Sequence, residues 1–281
     1  MITRITLCSL FCSLLFNTAD AETIKFGVYT ADKPTAVVKQ FRPILNALET
    51  QMSTQLKRPI SIKMVVSKSY EEGVTALASG LVDFSRFGPA SYIAAKETNK
   101  SLRILAMESK GGEKMFWGYI CVHNESKINS VADLVGKSFA FGNQESTIGR
   151  YLSQLYLVEN GINSSRLSKY DYLLRHDKVG MSVALKQYDA GALKDNTFNK
   201  LVTSGQPLKK IAQFPNVTKP WIASSNLSEE LFITLQQALL SLKDKTILKG
   251  IKKDGFLLGT DQDYERIRKA IAQNKLFFDK K

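Results

Sequence analysis

Strand-like runs alternate with helix-periodic segments along nearly the whole chain, and that alternation is what most restricts its fold. ETIKFGVYT (22–30) reads as a first strand. In the segment after it, Val37, Val38, Phe41, Ile44, Leu45 and Leu48 fall near helical spacing. ISIKMVVS (60–67) is a strand rich in β-branched residues. YEEGVTALASG predicts a short helix ended by Gly80, LVDFSRFG a strand, PASYIAAKE a helix with Pro89 in its first turn, and LRILAMES a further strand. Strand, helix, strand, helix in this order implies parallel βαβ units and the α/β class.

A second series opens near Phe116. FWGYICVH predicts a strand, INSVADLVGK a short helix capped by Ser130 and closed by Gly136, SFAFGN a strand, and Thr147 to Asn160 a helix ending at Gly161. SKYDYLL, the short apolar AGAL and LKKIAQF are strand candidates, separated by the helical stretches KVGMSVALKQYD and DNTFNKLVTSG. EELFITLQQALLSLK and DQDYERIRKAIAQNK close the chain as amphipathic helices. Two α/β series and 281 residues suit two lobes. We expect the strand after residue 210 and the tail to return to the first lobe: residues 22–114 plus 218–281 form lobe 1, residues 115–217 lobe 2, joined by a two-strand hinge. Ligands in open α/β sheets sit beyond the strands' carboxyl ends, which places a ligand in the cleft between the lobes.

The N-terminus reads as a signal peptide over residues 1–21. Arg4 gives the positive start, Ile5 to Phe16 the short apolar stretch and Ala19-Asp20-Ala21 the small-x-small cleavage pattern. A mature, soluble, exported chain from Glu22 is expected; an uncleaved N-terminal anchor stays open as the alternative. Cys12 follows Ser9-Leu10-Phe11, a poor lipoprotein box. Cys8 and Cys12 leave with the signal, so Cys121 alone remains; no internal disulfide forms, and a buried strand residue is its expected role.

Thirty-nine Lys and Arg against 26 Asp and Glu give a formal net charge of +13. The lysines are scattered, without an aromatic-interleaved stripe, so no nucleic acid is expected; the charge reads as a solvated basic surface that at most raises the local concentration of anions.

FGNQESTIGRYLSQLYLVENGI (141–162) leads from a glycine and small polar residues straight into a helical segment. Ser146 and Thr147 at that junction cap the helix, or they present hydroxyls beside the open N–H groups to an anion. Ser91 after Pro89 allows the same two readings. A triad of Ser146, His176 and Asp177 is disfavoured: ESTIG lacks the G-x-S-x-G elbow, and adjacent His and Asp side chains do not naturally meet. No H-x-x-x-H zinc pattern occurs, so neither cofactor nor enzyme activity is expected.

SYEEGVTALASGLVDFSRFGPASY (69–92), VADLVGKSFAFGNQESTIG (131–149), RHDKVGMSVALKQYDAGAL (175–193) and KPWIASSNLS (219–228), in this order, resemble the periplasmic phosphonate-, phosphite- and phosphate-binding proteins of ABC importers, which have the type II periplasmic binding fold. The resemblance covers nearly the whole mature chain. It implies capture of a small phosphorus oxyanion, an ABC permease as partner and a monomeric chain. A sensor module reporting a small anion to a membrane signalling partner is the alternative. It implies hydroxyl donors at Tyr70, Ser146 and Thr147, with Gly149 completing the Ser-Thr-x-Gly pattern, and a donor at His176, charged when protonated. Ile148 stands where relatives often carry another serine. Phe116 matches a crossover aromatic that is tyrosine in some relatives, and Tyr119 is a possible substitute for it. Where relatives of aminoalkyl-phosphonate specificity place acids for the ammonium, this chain has Asn196 and Lys219, with Asp195 adjacent, which argues against an amine-tailed ligand.

Overall fold

A computed structural model describes residues 21–29 and 34–279; the segment expected to act as a signal peptide lies outside them, apart from Ala21. Eleven strands occur among the described residues, in two sheets. The first sheet has the order β11-β4-β10-β3-β1-β2, formed by β1 (Glu22–Tyr29), β2 (Ile60–Ser67), β3 (Phe84–Arg86), β4 (Arg103–Ser109), β10 (Pro220–Ala223) and β11 (Gly255–Leu257). The second has the order β7-β6-β8-β5-β9, formed by β5 (Met115–His123), β6 (Ser138–Phe141), β7 (Lys169–Tyr172), β8 (Ala190–Lys194) and β9 (Leu208–Val217). This is the α/β architecture that the alternation predicts.

In the first sheet β1 pairs in parallel with β2 and β3, with α1 (Pro34–Leu56), α2 (Tyr70–Ala78) and α3 (Pro89–Thr98) as the connecting helices. Phe26 stacks on Trp221 at 5.1 Å and meets Phe41 and Phe84 at 5.5 and 5.0 Å, tying α1 and the returning strand β10 to one core. In the second sheet α4 (Ser153–Glu159), α5 (His176–Ala184) and α6 (Asp195–Thr203) pack around β5 to β9. Cys121 lies fully buried there, and burial pushes its thiol up to about 12.

The chain crosses between the sheets twice. It leaves β4 through a turn in which Gly111 and Gly112 both have positive φ, entering β5. It returns from β9 to β10 through Thr218 and Lys219, where Thr218 N–H donates to Lys114 O at 2.9 Å and Glu108 N–H to Lys219 O at 3.1 Å. β5 and β9 pair antiparallel from Met115↔Val217 to His123↔Leu208, so the two crossings run side by side. The strand after residue 210 therefore stays in the second sheet, and β10 makes the return.

The remaining helices are α7 (Glu229–Ser241), α8 (Lys245–Leu248) and α9 (Glu265–Ala272). The tail after α9 reaches the second sheet's side: Phe277 sits 5.4 Å from both Phe141 and Tyr170, and Asn274 donates from Nδ2 to Gln154 Oε1 at 2.7 Å. Ser130 does not cap the helical turn at Ala132–Leu134 as expected. The Asp133 carboxylate instead accepts from Asn129 N–H, Ser130 N–H and the Ser130 hydroxyl, a stronger acceptor for three donors. Among the described residues no helix is long and apolar enough to cross a membrane.

Candidate functional site

A cavity of about 110 Å³ lies where the two sheets face each other, and its wall includes Tyr70, Ser91, Phe116, Ser146, Thr147 and His176. All six residues singled out from the sequence thus line one space. Each is placed there by a specific local device.

Tyr70 is the first residue of α2, whose N-cap Ser69 accepts from Glu72 N–H at 3.0 Å while the Glu72 carboxylate accepts from Lys68 N–H at 2.8 Å. This reciprocal cap fixes where the helix begins and aims Tyr70 at the cavity. Its ring stacks on Tyr29 at 4.3 Å. Gly73 permits the approach, because a Cβ there would lie 2.8 Å from Tyr29 Cδ1.

Tyr29, which sequence reasoning missed, ends β1 and also lines the cavity. Its hydroxyl accepts from Gly88 N–H at 2.8 Å and shares a 2.8 Å hydrogen bond with Ser91 Oγ. Burial pushes its phenol above the ordinary value, so it remains protonated. These contacts organise the start of α3, whose N-cap Gly88 has no side chain to cap the helix and whose first residue is Pro89. Pro89 has no N–H and Ala90 N–H is taken by Thr147, so what this helix start offers an anion is chiefly its partial positive charge.

Ser146 caps a π-helical turn, Thr147–Leu152, and its Oγ accepts from Gly149 N–H at 3.0 Å. The sequence predicts one continuous helix here; the structure has this wider turn before α4. Gly142 and Gly149 make it possible: a Cβ on either would lie 2.9 Å from the other's Cα. Ser146 is therefore a cap, as the simpler reading had it, yet it stays at the cavity wall. Thr147 points the other way. Its Oγ1 accepts from Ala90 N–H of α3 at 2.9 Å, across the interface between the two sheets.

His176 opens α5. Its Nδ1 is buried and, among the described residues, has no hydrogen-bond partner. Desolvation, with the Lys194 and Lys219 ammonium groups nearby, pushes its imidazole down to about 3. At neutral pH the ring is therefore neutral and donates a neutral N–H; the charged donor that the resemblance implies on protonation is not the form present there. Asp177 bonds to Arg175 at 2.9 Å rather than to His176, so the triad geometry is absent.

Phe116 lies on β5 and lines the cavity. Tyr119 does not stand in for it; its ring meets Phe198 edge-on at 5.4 Å, with Lys210 Nζ 4.5 Å from its centroid. Asn216, on β9, is 2% exposed and its Oδ1 lacks a partner among the described residues. Lys194 and Lys219 complete the wall, with Glu145 the carboxylate among its residues. Desolvation, then Arg86 and Lys194, hold the Lys219 ammonium well below the ordinary lysine range, against the pull of Glu108. The assembled chemistry is hydroxyls, a helix N-terminus, a neutral imidazole and two lysines around a space that fits a small oxyanion.

Comparison with known proteins gives the same picture at the level of the whole chain. The solved structure of PhnD1 from Prochlorococcus marinus (MIT 9301) in complex with methylphosphonate superposes with a TM-score of 0.79 at 21% identity, covering 90% of this chain and 98% of that one. The phosphate-import protein PhnD of Mycolicibacterium smegmatis is 24% identical, over 88% of this chain and 84% of its own length. The phosphonates-binding periplasmic protein of Escherichia coli is 24% identical over 77% of this chain and 66% of its own. The family model for the periplasmic substrate-binding protein of phosphonate ABC transporters matches residues 26–264, and the chain belongs to that family.

Proposed function

We propose that this protein captures a phosphonate, phosphite or phosphate ion in the cavity between its sheets and delivers it to an ABC permease. Members of the family bind small ligands in the periplasm and work with membrane permeases. The observation that carries the ligand assignment is the convergence of the α3 N-terminus, the Thr147 hydroxyl and the Tyr29–Tyr70 pair on one small space. Oxyanions need several convergent donors, and such donors discriminate by geometry as well as charge.

In this reading residues 22–114 with 218–281 form lobe 1 and residues 115–217 form lobe 2. The paired strands β5 and β9 are the hinge, and hinge closure traps the ligand. The C-terminal turns around Phe277 clasp lobe 2 from lobe 1. Tyr70 and Ser91 act from the first lobe; Ser146, Thr147 and His176 act from the second, and Phe116 packs against the ligand from the hinge. The chain works as a monomer, is exported after cleavage of residues 1–21, and catalyses no reaction.

Calorimetric titration of the mature chain with phosphate, phosphite, methylphosphonate and sulfate tests this. Saturable binding of a phosphorus oxyanion in preference to sulfate is expected. Sulfate binding as tightly as every phosphorus anion would sink the assignment.

A further inference from the structure

A second, larger space of about 330 Å³ adjoins the oxyanion cavity and shares Phe116, Lys194 and Lys219 with it. Its charge is one-sided. Arg86, Lys194, Lys200, Lys219, Lys252 and Lys253 line it, against a single carboxylate of the lining, Glu108. That carboxylate is already committed: it is 1% exposed and accepts from Arg86 Nε at 2.5 Å and Nη2 at 3.1 Å. Glu108 is the one carboxylate of that wall; Lys194, Lys219 and Lys253 are half-buried lysines that face the space, with Lys200 and Lys252 exposed at its edge. Asp195, at the head of α6, acts on Lys253 from outside the lining. Lys253 Nζ lies 5.5 Å from the Phe116 ring centroid, so a cation stands beside the passage between the two spaces.

Like charges gathered in a partly dry space repel, and the arrangement costs free energy until an anion enters. Desolvation, then Arg86 and Lys194, lowers the ammonium pKa of Lys219, and desolvation lowers that of Lys253 against the pull of Glu108, so an entering anion would favour the charged form of both. A ligand of one phosphorus centre and a methyl group does not fill a basin of this size. An ammonium tail would meet the lysines and be repelled.

We propose that this basin is a subsite for a second anionic group, so that the ligand is a phosphorus oxyanion carrying a carboxylate or phosphate on a short tail. The head sits between α3 and Thr147, and the tail passes Phe116 to meet Lys219 and Lys253. This rests on the reading of the first cavity as the oxyanion site, and the experiment separates the two.

Three ligands differ only in the group that follows two methylenes: propylphosphonate ends in methyl, 2-aminoethylphosphonate in ammonium and 3-phosphonopropionate in carboxylate. Methylphosphonate is the head alone. Titrating the mature chain with these four, 3-phosphonopropionate is expected to bind about tenfold or more tightly than propylphosphonate, and 2-aminoethylphosphonate more weakly than propylphosphonate. The carboxylate advantage is expected to shrink in Lys253→Met and with rising salt. Propylphosphonate equal to 3-phosphonopropionate, or 2-aminoethylphosphonate the tightest, overturns the tail subsite while methylphosphonate binding keeps the head site. Absence of binding by all four ligands overturns both.

Discussion

Thr147 Oγ1 accepts a hydrogen bond from the backbone N–H of Ala90 at 2.9 Å, although the two residues belong to elements of different sheets. α3 has glycine at its N-cap and so lacks a local side chain for its first N–H groups. Thr147 caps it from the other side of the cleft. In the proposed reading, a ligand oxygen entering the cavity meets the same N–H and the same hydroxyl.

Thr147→Val keeps the shape and removes the hydroxyl. Oxyanion affinity is expected to fall by about 1–3 kcal/mol, roughly 5-fold to 150-fold, because a donor is lost in a desolvated site. Thr147→Ser, which retains the oxygen, should lose far less. Calorimetric titration of both variants with methylphosphonate and phosphate decides this; unchanged affinity in the valine variant removes Thr147 from the site.

Tyr29→Phe leaves the stack on Tyr70 and removes the oxygen that satisfies Gly88 N–H and Ser91 Oγ. Two polar groups of a buried turn then lose a partner, at a cost of about 1–3 kcal/mol in stability. A lower midpoint in thermal unfolding, together with weaker anion binding through the loosened α3 start, is the expected pair of results. A variant as stable as the parent would show that water replaces the phenol fully.

The pH dependence follows from His176. Its folded-state pKa of about 3 lies below the value of about 6.5 for a free histidine. The unfolded chain therefore binds a proton first as pH falls, and stability present above pH ~6.5 is lost progressively down to pH ~3, by at most about 1.4 kcal/mol per pH unit. His176→Gln should flatten the acid limb of melting temperature against pH. Ligand affinity, by contrast, should show no step near pH ~6.5 from this residue, since the ring stays neutral on both sides of that value.

The alternation of strands and helices, and the two α/β series, were legible because periodicity is a local property. So were the hydroxyls at 146 and 147 and the aromatic at 70, which stand at helix starts with recognisable caps. What stayed hidden depends on contacts across the chain. Tyr29 enters the site only because Gly73, 44 residues on, leaves room for its ring. The π-helical turn at Thr147 needs Gly142 and Gly149 to meet backbone to backbone, which no propensity encodes. The neutrality of His176 depends first on its burial, and then on Lys194 and Lys219, which reach it from β8 and from the crossover. The tail's path to the second sheet is likewise a packing outcome, set by where Phe277 finds an aromatic pocket.

That tail gives the last prediction. Phe277 is fully buried and meets Phe141 and Tyr170 edge-on, while the tail otherwise holds to the second sheet's helices through hydrogen bonds such as Asn274 to Gln154. Phe277→Ala removes an aromatic anchor and leaves a cavity, at a cost of about 3–5 kcal/mol. For a chain of this size that corresponds to a fall in melting temperature on the order of 10 °C. Asn274→Ala, which removes one hydrogen bond from the same clasp, should cost about 1–3 kcal/mol. If the clasp couples the two sheets, the double variant departs from the sum of the single losses, because both side chains hold one short segment in place. Additive losses would instead mean that Phe277 acts as core packing alone. Thermal melts of the three variants distinguish the outcomes.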